Sequence, residues 1–216
     1  MKPPSITRER LAWESGRLLV GVDEVGRGPL AGPVVAAAVA FPPHAGRILR
    51  LRDSKVLTAK RREALAAVIE RRAAVVGVGA ASVKVIDRVN IRVATAIAMR
   101  RALSRALGLR RGERLDGRHF RIAVVIDGLP LPEIGMEHQA VVDGDALCYS
   151  IAAAGVVAKV VRDRLMQRLA RRHPGYGWET NMGYGTPDHL AAIDLTGPCI
   201  HHRRSFAPVA QTSLAL

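Results

Sequence analysis

The sequence predicts an α/β domain built on a sheet with both antiparallel and parallel strand pairs, and three observations carry that prediction. The chain opens with two short runs of β-branched and small apolar residues separated by a glycine-rich turn, the pattern of a strand hairpin. After it, β-branched runs alternate with segments whose apolar residues recur at helical spacing, the pattern that yields parallel pairs. From about His173 onward the composition shifts to glycine, histidine and aromatic residues, which reads as a C-terminal extension. With 216 residues and no linker, repeat or low-complexity stretch, a single domain spanning 1–216 and carrying that extension is expected.

The elements follow in order. Leu18 to Val25 and Gly32 to Phe41 read as strands joined through Gly26-Arg27-Gly28-Pro29, and Pro42-Pro43 breaks the second run. Thr58 can cap a helix through Arg61, Arg62, Leu65, Val68 and Ile69. Ala73 to Val83 reads as a third strand. Ile86, Val89, Val93, Ile97, Met99 and Leu103 then recur at helical spacing, so one long helix is expected from Val85 to Leu107, with Gly108 ending it. Phe120 to Ile126 reads as a fourth strand running into Asp127-Gly128. Gln139 to Val142 reads as a short fifth strand running into Asp143-Gly144-Asp145, followed by a helix from about Ala146 to Ala170.

Lys and Arg number 33 against 19 Asp and Glu, a formal charge of +14, so polyanions are the expected partners. Two cysteines, Cys148 and Cys199, in no metal-ligand spacing, signal neither a disulfide framework nor a zinc site. The N-terminus lacks an apolar signal-like region and the longest apolar run, Val34 to Phe41, is far below a membrane span; a soluble cytoplasmic protein is expected.

Against this basic background, three of the five expected strands end in or near a carboxylate: Asp23-Glu24, Asp127, and the Asp143/Asp145 pair. Ligand sites collect at strand ends of α/β sheets, and clustered carboxylates repel unless hard cations neutralise them. Magnesium or manganese is the natural occupant, and two such ions roughly 3.5–4 Å apart can clamp the attacking and leaving oxygens of a phosphodiester. Asp23 and Glu24 are consecutive, so both can ligate only where strand regularity breaks, and Gly26 and Gly28 supply a break. The glycines lack G-x-G-x-x-G spacing and open a strand, which argues against a dinucleotide site. The residues by themselves leave open a ribonuclease, a Holliday-junction resolvase with a similar acidic site, and a non-catalytic RNA-binding module.

Asp23-Glu24-Val25-Gly26-Arg27-Gly28-Pro29-Leu30-Ala31-Gly32-Pro33 resembles the opening signature of the ribonuclease HII family. The resemblance continues in Asp53-Ser54-Lys55 with Leu57-Thr58, Ile86-Asp87-Arg88-Val89-Asn90-Ile91, Ile126-Asp127-Gly128 and Gly144-Asp145. It runs on through Ile151-Ala152-Ala153-Ala154, Ala158-Lys159-Val160-Val161-Arg162-Asp163, Gly183-Tyr184-Gly185-Thr186 and Arg204-Ser205-Phe206. The resemblance implies a ribonuclease H-like mixed sheet flanked by helices, with a helical C-terminal extension. It implies a four-carboxylate site of Asp23, Glu24, Asp127 and Asp145 holding Mg2+ or Mn2+, with Asp145 preferred to Asp143 because it follows glycine. It further implies that the Gly26-Arg27-Gly28 backbone meets the 2′-hydroxyl of the target ribonucleotide, that Tyr184 packs on the nucleotide, and that Ser54 and Lys55 contact phosphate.

The activity so implied is endonucleolytic hydrolysis of RNA in RNA–DNA hybrids and 5′ of ribonucleotides embedded in duplex DNA, leaving 3′-hydroxyl and 5′-phosphate ends, by a monomer. Asp163 is expected in a structural ion pair or hydrogen bond, and His201 and His202 are not read as ligands. Two departures stand out. Asn181-Met182 replaces a His-Lys pair common in the family, so a phosphate-binding charge is either missing or supplied by a neighbouring arginine. Gly155 stands where serine is common and is expected to bear on helix packing rather than catalysis. The tail Gln211-Thr212-Ser213-Leu214-Ala215-Leu216 loosely resembles peptides that dock on replication sliding clamps.

Overall fold

A computed structural model describes residues 3–48, 51, 57–109 and 121–212. Five strands form one sheet: β1 (Leu18–Val25), β2 (Val34–Ala40), β3 (Val75–Ala81), β4 (Ile122–Asp127) and β5 (Gln139–Val141), in the order β3-β2-β1-β4-β5. β2 runs antiparallel to β1 and β3, while β1, β4 and β5 are parallel. The helices are α1 (Thr7–Glu14), α2 (Ala59–Arg72), α3 (Val83–Ala106), α4 (Gly144–Leu147), α5 (Tyr149–Arg172), α6 (Trp178–Asn181), α7 (Pro187–Thr196) and α8 (Ala207–Thr212).

The sheet is covered on both faces, which is why β2 reads as an unbroken small apolar run, all seven residues buried. Its alternation still sorts the faces. Val34, Ala36, Ala38 and Ala40 pack with Ile86, Met99, Ala102 and Leu103 of α3. Ala37 and Val39 join a second cluster with Leu65 and Ile69 of α2 and Ala153, Val156 and Val157 of α5. Small residues allow close approach: a Cβ at Gly21 of β1 would fall 2.3 Å from the Ser150 carbonyl carbon at the start of α5. That contact sets α5 directly on the strand that carries Asp23 and Glu24.

The expected strands are all present, with β3 shorter than Ala73 to Val83 at both ends. As expected, Thr58 caps α2, its hydroxyl accepting from the Arg61 N–H. Two expected helices are interrupted. The long helix from Val85 is broken at Asn90 (φ 67°, ψ 169°), whose side chain accepts from the Val93 N–H and so caps the second stretch. The helix expected from Ala146 is split by Cys148, extended at φ −121°, into α4 and α5. α1 was not expected. It docks through Glu9, fully buried, whose carboxylate accepts from the Ser150 N–H at 2.8 Å at the N-terminus of α5. Burial next to Glu9 pushes the Cys148 thiol up to about 12.

The extension contains α6, α7 and α8 and builds a satellite core of Tyr176, Trp178, Ile193 and Val209. Leu30, Ala31 and Met166 join that core to the rest of the molecule. Asp87 of α3 pins it as well, accepting from the Arg204 N–H, the Ser205 N–H and the Ser205 hydroxyl. Among the described residues no helix is long and apolar enough to cross a membrane.

Candidate active site

Parallel pairing of β1 and β4 aligns Val22 with Ile126, so the next residues, Asp23 and Asp127, emerge side by side at the same end of the sheet. Asp127 in turn aligns with Val141 of β5, and the chain leaving β5 brings Gly144-Asp145 to that end. The Gly144 N–H donates to Asp127 Oδ1 at 2.7 Å and orients that carboxylate. Asp145 is half-buried, whereas Asp143 is exposed in a left-handed conformation (φ 54°).

The negative charges act on one another. Burial, followed by the charges of Glu24, Asp127 and Asp145, holds the Asp23 carboxyl well above the usual carboxylate range, opposed by a 2.7 Å hydrogen bond from the Glu24 N–H. Burial also raises Glu24, although Arg27 offsets it through a 3.1 Å ion pair. As the side chains stand, no three His, Cys, Asp or Glu among the described residues are close enough to share one cation. The carboxylates are thus within electrostatic reach rather than in ligating contact. A buried, all-oxygen, mutually repelling set nevertheless fits hard divalent cations better than any other ligand class.

Gly155 of α5 lies against Asp23: a Cβ there would come 2.4 Å from Asp23 Oδ2. The departure from serine therefore falls where α5 packs on the Asp23 carboxylate, a packing position that adjoins the candidate site. Asp163 is where it was expected, bonded to Lys159 at 2.7 Å and Arg62 at 3.1 Å.

Beyond Glu24 the chain turns through Gly26 (φ 96°), a conformation that glycine alone adopts cheaply. Close approach adds a second reason, since a Cβ at Gly26 would sit 2.1 Å from Arg162 Nε. Gly28 has space, and a Cβ there would meet Tyr184 Cε1 at 3.8 Å. Two residues separated by most of the chain thus meet at one surface, where Tyr184 keeps 46% of its area exposed. Ser54 and Lys55 lie outside the described residues.

Asn181 takes a structural role. It accepts from the Gly183 N–H and donates to the Tyr176 carbonyl, both at 2.8 Å, and so shapes the loop that presents Tyr184. The neighbouring arginine is Arg162, bonded to the Met182 carbonyl at 3.0 Å and fully buried, so it presents no charge at the surface.

Sequence reasoning missed two groups. Arg162 and Arg203 are fully buried beneath the Gly26–Pro33 turn, and burial lowers the pKa of both, Arg203 to about 9. The second group is a hydrogen-bonded chain in the extension. His189 Nδ1 lies 2.7 Å from the Tyr184 carbonyl, His189 Nε2 lies 3.0 Å from His202 Nε2, and His202 Nδ1 accepts from the Cys199 N–H. Both rings are satisfied as neutral imidazoles only, and burial pushes His202 down to about 4. Arg203 had a weak signal in its place beside Arg204-Ser205-Phe206; the histidines had none.

Comparison with known proteins supplies the family. The family model described as ribonuclease HII matches residues 20–209. A ribonuclease HII of Cereibacter sphaeroides is 54% identical over 209 residues, covering 95% of this chain and 92% of the relative. One from Synechococcus sp. is 48% identical over 95% of this chain and 89% of its own. Among solved structures, the ribonuclease H2 of Pyrococcus horikoshii superposes with a TM-score of 0.70 at 24% identity, over 92% of this chain and 98% of that one. The ribonuclease HII of Archaeoglobus fulgidus, solved in a complex with PCNA, gives 0.68 at 24% identity, over 90% and 96%. Bst-RNase HIII, solved with Mn2+, gives 0.67 at 20%, over 96% and 73%. With the family model and close relatives both spanning nearly the whole chain, this protein belongs to the ribonuclease HII family, endoribonucleases that act on RNA–DNA hybrids.

Proposed function

We propose that the chain cuts the RNA strand of RNA–DNA hybrids and incises 5′ of single ribonucleotides in duplex DNA, leaving a 3′-hydroxyl and a 5′-phosphate. The observation that carries this reading is the meeting of Gly28 and Tyr184 next to the carboxylate end of β1. A 2′-hydroxyl is what distinguishes RNA from DNA at a given nucleotide, and main-chain groups beside a glycine can approach it closely. The Tyr184 ring offers a face for the sugar or base of the same nucleotide.

Asp23, Glu24, Asp127 and Asp145 would hold Mg2+ or Mn2+. Such ions, when bound, supply activation of water for attack on phosphorus and neutralise charge on the departing 3′-oxygen. The chain's own residues orient the reaction. The Gly144 N–H fixes Asp127, the Glu24 N–H fixes Asp23, and Arg27 pairs with Glu24 at 3.1 Å. A net charge of +14 supports the sequence-independent hold on the duplex.

The tail Gln211–Leu216 is proposed to dock on a sliding clamp. The PCNA complex of the Archaeoglobus fulgidus protein supports this reading, although residues 213–216 lie outside the described ones. Deleting the tail should weaken clamp co-purification and leave cleavage of a short duplex unchanged; unaltered clamp binding would remove the tail from the account. The main reading is tested on one labelled duplex with a single ribonucleotide, its all-deoxy twin, and a long hybrid, each in Mg2+. Nicking 5′ of the ribonucleotide, with the twin intact, is the expected result.

A further inference from the structure

Two buried cations lie under the turn that follows Glu24, and neither has a carboxylate partner among the described residues. Arg203 donates to the carbonyls of Gly26 (2.6 Å), Arg27 (2.7 Å) and Gly32 (2.9 and 3.1 Å). Arg162 donates to the carbonyls of Ala31 (3.2 Å), Pro33 (3.1 Å) and Met182 (3.0 Å). Removing a guanidinium from water is costly, and a fold needing only a rigid turn could use neutral donors. Here two permanent charges are spent on the main chain of one short loop. The Arg203 guanidinium also lies 5.0 Å from the centre of the Phe206 ring, which helps to fix its plane.

The consequence lies in peptide geometry. No described peptide bond is cis, and in a trans peptide the C=O and the N–H point in opposite directions. When Arg203 draws the Gly26 and Arg27 carbonyls inward, the N–H groups of Arg27 and Gly28 are turned outward. Neither of these two donors has an acceptor among the described residues. They flank the surface that Gly28 shares with Tyr184. A cation bonded to a carbonyl also polarises its peptide, making the N–H on the other side a stronger donor.

We propose that Arg203, with Arg162 beside it, is the positioning residue for ribonucleotide discrimination: from beneath, it aims and polarises the Arg27 and Gly28 amides toward the 2′-hydroxyl. This rests on the function proposed above. Arg203 touches no substrate and acts only through the turn. Its planar fork serves three carbonyls at once, which a lysine cannot reproduce.

The test is a competition assay in Mg2+. Cleavage of a DNA duplex with one ribonucleotide gives KM and kcat, and the uncleaved all-deoxy duplex serves as inhibitor and gives Ki. Arg203→Lys and Arg203→Met should each reduce the preference for the ribonucleotide duplex, expressed as Ki over KM, by about tenfold or more. Ki itself, and Mn2+ binding measured by calorimetry, should not change. A role confined to stability would lower Tm and leave that ratio untouched, and a wild-type ratio in a folded variant would overturn the proposal. If neither variant folds, amide NMR of the wild type decides: the Arg27 and Gly28 signals should shift with the ribonucleotide duplex and not with its twin, and identical shifts would overturn it. A wild type that binds both duplexes equally would overturn the ribonucleotide reading as well, so the two failures are told apart.

Discussion

Two charge centres lie next to each other at one end of the sheet, and they are handled in opposite ways. Asp23, Glu24, Asp127 and Asp145 are acidic and crowded, and burial, followed by the charges of its neighbours, holds Asp23 well above its ordinary range. Arg162 and Arg203 are positive and more deeply buried, and they donate seven hydrogen bonds to backbone carbonyls. The first centre gathers like charges at the strand ends; the second shapes the main chain of the turn beside them. Under the proposed function a division of labour follows: hydrolysis would belong to the carboxylates and recognition to the turn.

The largest effect that would test this division comes from Asp127→Asn. Its Oδ1 can still accept from the Gly144 N–H, so the fold should persist. Cleavage in Mg2+ should fall by at least about a hundredfold, the scale for losing one electrostatic group at a reacting centre. Near-wild-type turnover would remove Asp127 from the site.

Next come the recognition residues. Tyr184→Ala should lower kcat/KM on a ribonucleotide duplex by about ten- to hundredfold, using base–aromatic stacking as the scale, and Tyr184→Phe should be mild if the ring does the packing. Gly28→Ala sharpens the point, because the added methyl meets only an ordinary 3.8 Å contact. Tm should hold while cleavage drops; a matching loss of Tm would mean that the turn was strained instead.

Another buried carboxylate, Glu9, belongs to neither centre. Glu9→Ala removes the 2.8 Å acceptor at the start of α5 and should cost about 2–3 kcal/mol of stability by denaturant melt, with cleavage per folded molecule unchanged. The buried Ser150 hydroxyl has no partner among the described residues, so Ser150→Ala should be neutral or slightly stabilising.

The last effect is one of pH. Burial lowers His202 from 6.5 to about 4 in the folded chain, so between those values the unfolded chain binds more protons. Stability from this group is complete above about pH 6.5 and is lost progressively as the pH falls toward 4. His202→Gln should flatten the fall of Tm in that window, and an unchanged slope would relocate the cause.

How far the sequence foretold these regions follows the same divide. β1 and β4 were legible because β-branched runs end in Asp-Glu and Asp-Gly, and parallel register then made Asp23 and Asp127 neighbours. Gly26 was legible because only glycine is cheap at φ 96°. The arginines were not, since in a chain with 33 Lys and Arg nothing local marks two of them as buried. The break at Asn90 was hidden because Val89 and Val93 keep helical spacing across it. α1 was hidden because its anchor is a buried glutamate rather than an apolar stripe.

The most direct measurement of the division is the affinity of Asp127→Asn, in Mg2+, for a duplex bearing one ribonucleotide and for its all-deoxy twin. The account predicts that this variant no longer cuts yet keeps the wild-type preference for the ribonucleotide duplex, a preference that Gly28→Ala and Tyr184→Ala lose. Loss of that preference in Asp127→Asn itself would show that the carboxylates read the sugar as well, and would contradict the separation of hydrolysis from recognition.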